Sequence, residues 1–309
     1  MQEAGDLGWW GVAIAVIGGA FRVSTPYIFV SLGEVITEKS GRVNLGLEGI
    51  LVMGAMSAFA VAVMTGSPWL GVLAAGIAGA LLGAVHAAIS NLPRVNDIAV
   101  GIALFIFGIG LAFFLGKPFT PVAGPILPHI SLGAWSAFPQ VRNALEINAL
   151  FILGLVVAGL VYWGLKNTRW GLMLRVCGDS SDAALAMGLN VNYVRTVATM
   201  VGGFLAGIGG SFLSLYYPGG WNEGLSSGQG LMAIALVIFA RWNPIYCVYA
   251  SLLFGAATAL GPALQTAGIN ENYYLYGAAP YFLTLALLIY SSSPDRLLAG
   301  APAEVSISK

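Results

Sequence analysis

The chain is a succession of apolar runs, most of them about 20 residues long, joined by polar connections. A helix needs about 20 apolar residues to cross the hydrocarbon core of a bilayer. Hydrophobic residues occupy 58% of the 309 positions and charged residues only 8%, compared with about 25% charged residues in soluble domains. This pattern predicts an all-α, polytopic membrane protein, a helical bundle.

Nine membrane crossings are predicted, with a tenth if the long first run forms two elements. The predicted spans are 9–37, 45–64, 67–90, 97–116, 147–165, 196–217, 227–241, 244–263 and 273–291. Residues 1–309 then form a single transmembrane domain. Its two long connections are an outer loop, 117–146, and an inner loop, 166–195.

The basic residues predict the orientation of the bundle. Ten of them fall on one side if the N-terminus is outside and the C-terminus is inside, whereas Lys117 and Arg142 fall on the other. The ten are Lys39, Arg42, Arg94, Lys166, Arg169, Arg175, Arg195, Arg241, Arg296 and Lys309. The positive-inside rule therefore places the inner loop and the C-terminus in the cytoplasm. Arg22 is the misfit, because it lies within the first span.

The segment Gly41–Gly49 interrupts the apolar pattern with three glycines and two polar side chains. Glycines let the backbone leave the helix, and an interrupted membrane helix exposes N–H and C=O groups to a transport path. We predict a broken helix near residues 38–49. Its hinges are expected at Gly41, Gly46 and Gly49.

Polar side chains inside a membrane are costly and usually functional. Asn44 offers two donors and an acceptor to a neutral, hydroxyl-rich solute, so we predict that Asn44 and Glu48 line a translocation path. Two alternatives remain for Glu48. It can cap freed backbone N–H groups, or it can pair with Arg42.

A second region repeats the order of the first. Asn222 follows Asn44 by 178 positions (222 minus 44), and Pro244 follows Pro68 by 176 (244 minus 68). With Pro68 outside and Pro244 inside, the two halves form an inverted repeat, unless the match is a chance feature of a glycine-rich chain. Asn222 and Glu223 are then further candidates for the path at its outer end.

The inner loop contains a predicted short helix. Ser180 or Ser181 is suited to cap its N-terminus, the small residues Ala183 and Ala184 permit close approach, and Gly188 is suited to end it. This helix is interpreted as a docking site for a cytoplasmic protein. The alternative is a solvated basic loop with one amphipathic turn.

Catalytic motifs are scarce in this sequence. The run Gly224–Gly228 matches G-x-S-x-G around Ser226, but no strand precedes it. The sequence has no G-x-x-x-x-G-K-[ST] phosphate loop and no H-E-x-x-H zinc helix. Energy for active transport must therefore come from another subunit or from an ion gradient. For ion-coupled transport, the candidate carboxylates are Glu48 and Asp97.

Three segments resemble the permeases of bacterial ABC importers in the branched-chain amino acid and ribose superfamily, most closely the nucleoside and simple-sugar branch. Ser31–Gly49 is similar to "(S)ER(S/A)GVVNIGLEG". Gly228–Ala235, followed by Arg241-Trp242-Asn243-Pro244, is similar to "GRGFIALA…GRWNP", and Gly171–Gly188 is similar to "G..LRAVGENPEAARAAGI". The chain departs from these patterns at Arg42, at Cys177–Ser180 and at Ala240.

This resemblance implies a non-catalytic permease subunit of an ATP-driven importer in the bacterial cytoplasmic membrane, which transports nucleosides or related sugar-containing solutes. The implied partners are an ABC ATPase that carries ATP and magnesium, a second and longer permease, and a substrate-binding lipoprotein or periplasmic protein. Homodimerisation is the alternative to pairing with the longer permease. No cofactor on this chain and no nucleic acid are expected, and membrane lipid surrounds the bundle. The implied ATPase-coupling residues are Arg175, Gly178, Asp179, Ala183, Ala184 and Gly188.

Overall fold

The computed structural model describes residues 8–131, 136, 141–142, 145–266, 273–291 and 300–307. Its helices are α1 Gly8–Lys39, α2 Leu47–Thr65, α3 Pro68–Ser90, α4 Asp97–Gly116, α5 Ala149–Asn167, α6 Arg169–Asp179, α7 Ser181–Ala186, α8 Val191–Leu215, α9 Gln229–Phe239, α10 Pro244–Thr266, α11 Tyr273–Gly277, α12 Ala279–Ser291 and α13 Ala303–Ile307. The strands are β1 His129–Ser131 and β2 Glu146–Asn148.

Within these described ranges, seven helices are long and apolar enough to cross a membrane. They are α1, α2, α3, α4, α5, α8 and α10. The prediction of nine or ten crossings is not confirmed, because α9 and α12 have only 11 and 13 residues. At about 1.5 Å per residue, α9 is about 16 Å long, roughly half the hydrocarbon core.

The first run forms one continuous helix of 32 residues, α1, with Pro26 inside it. The outer loop contains a 3-10 turn at Lys117–Phe119 and an antiparallel pair of short strands, in which His129 lies opposite Asn148. The all-α prediction did not include these strands. Residues 132–135, 137–140 and 143–144 of that loop lie outside the described residues.

Helices α1 and α8 form the centre of the bundle. Helix α1 packs against α8 and α10, and α8 packs against α1, α2 and α3. Glycines allow the backbones to approach closely at these crossings. A Cβ atom at Gly54 would lie only 2.5 Å from the Gly207 carbonyl oxygen, and one at Gly83 only 2.5 Å from that of Thr199.

Three segments of the chain meet at one end of the bundle. Lys39 Nζ donates to the Gly300 carbonyl at 2.7 Å, and Arg195 donates to the carbonyls of Ser40 and Cys177 at 3.0 and 3.2 Å. The end of α1, the inner loop and the C-terminal segment therefore meet at the same end. Many of the basic residues that were predicted to be cytoplasmic belong to these segments.

The misfit of Arg22 has a simple geometric explanation. Arg22 precedes Lys39 by 17 residues (39 minus 22), which corresponds to about 26 Å along a continuous helix. Its guanidinium lies over the Tyr217 ring, 5.4 Å from the centroid, just beyond the C-terminus of α8. Arg22 is therefore near the end of the bundle opposite to Lys39.

Candidate functional site

The predicted break between helices lies between the end of α1 at Lys39 and the start of α2 at Leu47. Gly41 has a φ angle of +87°, in the left-handed region that favours glycine. A Cβ atom there would lie 3.2 Å from the Gly178 Cα and 2.9 Å from Arg195 Nη2. Gly41, like the neighbouring Ser40, is thus a point at which the break contacts the inner loop.

Gly46 and Gly49 serve a different purpose from Gly41. Gly46 has an ordinary φ of −79°, and a Cβ atom at Gly49 would lie 2.7 Å from the Leu104 carbonyl oxygen of α4. Gly108 of α4 faces Gly49 in turn. These glycines allow close packing of α2 against α4, and the hinge role expected of them stays a prediction.

Asn44 organises the break from a fully buried position. Its Oδ1 accepts a hydrogen bond from the Gly46 N–H at 2.9 Å, and its own backbone N–H donates to Glu34 Oε1 at 2.8 Å. Its Nδ2 has no hydrogen-bond partner among the described residues. The Asn44 side chain therefore stabilises the break through its Oδ1, and its Nδ2 remains available as a donor.

The Glu48 carboxylate holds the N-terminus of helix α9. Oε1 accepts from Ser226 Oγ at 2.5 Å and from the Gly228 N–H at 3.0 Å, and Oε2 accepts from the Gly230 N–H at 2.6 Å. The first N–H groups of a helix have no partner within the helix, and its dipole favours a negative charge there. The capping alternative for Glu48 matches this geometry.

Arg42 does not pair with Glu48. Its Nη1 lies 2.6 Å from Asp97 Oδ1, and its Nη2 donates to Asn91 Oδ1 at 3.2 Å. Asp97 is the first residue of α4. It lies at the end of a span and holds an ion pair, so it is not the deep carboxylate that an ion-coupled transporter would need.

Helix α9 begins in the interior of the bundle. Glu48 is almost fully buried, and a Cβ atom at Gly230 would lie 2.6 Å from the Glu48 Cα. Helices α2 and α9 therefore start side by side. The sequence did not predict Ser226, Gly228 and Gly230 as hydrogen-bond partners of Glu48. The segment that begins at Gly228 was singled out only by its similarity to a permease pattern.

Asn222 and Glu223 differ from Asn44 and Glu48 in their exposure to solvent. Both are exposed, whereas Asn44 and Glu48 are buried. Asn222 Oδ1 accepts from the Gly224 N–H at 3.1 Å, the same contact to the second following residue that Asn44 makes. The four pathway candidates therefore divide into a buried pair and an exposed pair.

The inner loop contains the helices α6 and α7. The Ser180 side chain accepts from the Ala183 N–H at 3.2 Å and caps α7, as predicted. Gly188, with a φ of +79°, follows the end of that helix, which confirms its predicted role as a terminator. The docking prediction itself stays a prediction.

The six predicted ATPase-coupling residues divide into two groups. Arg175, Asp179, Ala183 and Gly188 are exposed, whereas Gly178 and Ala184 are buried. Gly178 packs directly against the Lys39 carbonyl. A Cβ atom at Gly178 would lie 3.2 Å from the Gly41 nitrogen. Gly178 and Ala184 are therefore not part of an exposed docking surface, and Gly178 instead connects α6 to the break.

Two exposed apolar residues at the inner loop were absent from the predicted set. Leu185 is 60% exposed and Met187 is 63% exposed. Both lie on or directly after α7. We call these two exposed side chains, together with the exposed Ala183, the α7 surface.

Glu304 of α13 connects the C-terminal segment to the start of α7 through hydrogen bonds. Its Oε1 accepts from the Ser181 N–H at 2.8 Å and from Ser181 Oγ at 2.7 Å, and its Oε2 lies 3.7 Å from Arg195 Nη2. Burial by itself would raise the pKa of Glu304. The hydrogen bonds from Ser181 and the charge of Arg195 outweigh it and hold the pKa below its ordinary value of 4.5.

Comparison with known proteins gives a consistent result. The family model described as "Branched-chain amino acid transport system / permease component" matches residues 16–291. The chain is 35% identical over 290 residues to the nucleoside ABC transporter permease protein NupC of Lactococcus lactis, covering 88% of this chain and 90% of that protein.

Two further relatives differ in their named solutes. The chain is 31% identical over 289 residues to the guanosine ABC transporter permease protein NupQ of Bacillus subtilis, covering 88% of this chain and 90% of that protein. It is 30% identical over 310 residues to the putative glucose ABC transporter permease protein TsgC13 of Haloferax volcanii, covering 90% of this chain and 92% of that protein.

Proposed function

Because this chain belongs to the permease family of branched-chain amino acid transport systems, we propose that it is the membrane subunit of an ATP-driven importer for nucleosides. The 35% identity to a nucleoside permease over most of both chains carries this proposal. The proposed complex contains an ABC ATPase with bound ATP and magnesium, a second permease and a substrate-binding protein. It lies in the bacterial cytoplasmic membrane, with the Lys39 end inside.

The proposed path passes the point where α2 and α9 begin. Half-helices that start inside a membrane bring N–H groups and polar side chains to a solute at that depth. The break residue Asn44 supplies a buried amide donor there. Glu48 is proposed to position the start of α9 and not to bind the solute directly. Three donors already occupy its two oxygens.

An inverted repeat is proposed for the two halves. Helix α1 packs against α10, and α8 packs against α3, as expected if α1, α2 and α3 correspond to α8, α9 and α10. Pro68 and Pro244 begin the corresponding helices α3 and α10. The matching side-chain contacts of Asn44 and Asn222 support the same correspondence.

Coupling to ATP is proposed to run from α7 through α6 to the break. ATP binding by the ATPase would shift α6 and α7, and the contact of Gly178 with Gly41 would pass that shift to the start of α2. A ligand changes a conformational equilibrium only through contacts that differ between the states. The direct contact with the ATPase is assigned to the α7 surface, not to Gly178 or Ala184.

The docking assignment is tested by a charged substitution on the α7 surface. Leu185→Asp is expected to reduce the amount of ATPase that copurifies with the permease by about tenfold, because a desolvated charge opposes an apolar contact. The matched control is Leu92→Asp, since Leu92 is 56% exposed in the connection between α3 and α4. Equal ATPase recovery with both variants would contradict the assignment.

The transported solute is tested with the complete complex in proteoliposomes. ATP-dependent uptake of radiolabelled guanosine and uridine is expected, with no uptake when the ATPase carries an inactivating substitution. Glucose is the second candidate, because the relative TsgC13 is named as a putative glucose permease. Saturable uptake of glucose without uptake of either nucleoside would replace the nucleoside proposal.

The same assay separates the other classes of mechanism. Uptake by this chain alone, driven by an ion gradient, would indicate a secondary transporter. A serine hydrolase would lose its function when Ser226 is changed to Ala. Uptake that depends on ATP and continues in Ser226→Ala supports the permease proposal over both.

A further inference from the structure

A cavity of about 350 Å³ lies at the end of the bundle opposite to Lys39. It is bounded by α1, α10, the end of α8 and the start of α9. Its lining includes Arg22, Pro26, Tyr217, Gln229, Thr258 and Ala263. Its volume falls at the lower end of the range of small-molecule sites in proteins, about 300 to 1,000 Å³.

The walls of this cavity provide both donors and acceptors. The Arg22 guanidinium, which carries only donors, is held over the Tyr217 ring. The Gln229 Oε1 is buried and has no donor among the described residues. The Thr258 hydroxyl donates to the Phe254 carbonyl at 2.9 Å, so its oxygen can still accept a hydrogen bond.

The floor of the cavity adjoins the proposed path. Gln229 is the first residue of α9 and follows Gly228, whose N–H donates to Glu48. The cavity therefore extends from the region of Arg22 and Tyr217 to the place where α2 and α9 begin. A solute in it would lie beside the first residue of α9, which follows the Gly228 that donates to Glu48.

We propose that this cavity is the outer binding site of the importer and that it selects a neutral nucleobase. Arg22 donates to a carbonyl of the base, Gln229 Oε1 accepts from a base N–H, and the lining residues Val23 and Pro26 provide an apolar wall for the flat face of the base. This inference rests on the proposed function and specifies its substrate site. A free pentose has hydroxyl groups but no flat face, so it binds more weakly.

The first experiment replaces Gln229 with an apolar residue of similar size. Gln229→Leu is expected to raise the KM for guanosine uptake about tenfold, because the base N–H is left without an acceptor. The matched control is Gln265→Leu, since Gln265 is exposed on α10 and is outside the cavity. Complex yield and basal ATPase activity are measured for both variants.

Each outcome decides a different question. Guanosine uptake by the wild type with an equal KM in Gln229→Leu and Gln265→Leu overturns the cavity assignment and leaves the proposed function standing. A wild-type complex that takes up neither guanosine nor uridine overturns both. A tenfold rise confined to Gln229→Leu supports the site.

A second measurement covers the case in which Gln229→Leu does not assemble. Gln229→Cys places a thiol at the cavity floor, while the two native cysteines, Cys177 and Cys247, are buried. A membrane-impermeant thiol reagent is applied from outside to intact vesicles. Guanosine is expected to slow labelling at least fivefold at a concentration at which ribose has no effect, and equal protection by the two compounds overturns base selection.

Discussion

Glu48 accepts a hydrogen bond from Ser226 Oγ at 2.5 Å, although the two residues are 178 positions apart in the chain. The same carboxylate also accepts from the N–H groups of Gly228 and Gly230. The contact joins the start of α2 in the first half to the start of α9 in the second. Hydrogen bonds to a charged acceptor are among the strong ones, so this contact stabilises the polar centre of the bundle.

Glu48→Gln is expected to lower the free energy of unfolding by about 3 kcal/mol, because the amide nitrogen must face one of the three donors. Thermal unfolding of the purified permease measures the change. Glu223→Gln is the matched control, since Glu223 is exposed, and its melting temperature is expected to stay that of the wild type. A similar small shift in both variants would mean that Glu48 does not hold α9.

Gly178→Ala is expected to separate α6 from the break, because the added methyl group overlaps the Lys39 carbonyl. The predicted cost is about 2 kcal/mol, as for other overpacked sites, together with loss of solute-stimulated ATPase activity. Gly164→Ala is the control, since a Cβ atom there meets no atom within 4 Å. It is expected to stabilise the helix by about 0.5 to 1 kcal/mol, and ATPase assays on both variants distinguish them.

Two substitutions at Asn44 distinguish the role of its Oδ1 from the role of its Nδ2. Asn44→Ser keeps an oxygen that can accept from Gly46 but removes the unused Nδ2 donor, so it is expected to preserve folding and to impair uptake severalfold. Asn44→Leu removes both groups and is expected to lower stability as well, by about 1 to 3 kcal/mol. Uptake at the wild-type rate in Asn44→Ser would contradict the proposal that Asn44 lines the transport path.

The contact of Glu304 with Ser181 is expected to depend on pH. Its folded-state pKa is lower than the ordinary value of 4.5, so the contact contributes stability above about pH 4.5 and loses it as the pH falls through the folded-state pKa. A spin label at Ala301→Cys is expected to become mobile between pH 5 and pH 3, values chosen to bracket that range.

Glu304→Gln is the control for this measurement. Its label is expected to be mobile at every pH, because the charged acceptor is missing. A label with the same pH response in both variants would show that another group controls the C-terminal segment.

The sequence determined the membrane-helix character of this chain, because runs of about 20 apolar residues exclude most other folds. Local signals were also sufficient for the break at Gly41, the cap at Ser180 and the helix end at Gly188, since each depends on the backbone of a few neighbouring residues. The nine-crossing count was not confirmed, since an apolar run near residues 227–241 does not reveal that α9 has only 11 residues.

Only the tertiary structure decided what the polar residues contact. Periodicity places residues on a helix but carries no information about a partner 178 positions away, so it could not join Glu48 to Ser226 or Arg42 to Asp97. It also could not show that Gly178 is buried against Gly41, or that Arg22 and Gln229 share a cavity. These relationships depend on how the helices cross, which is set by close packing of small residues throughout the bundle.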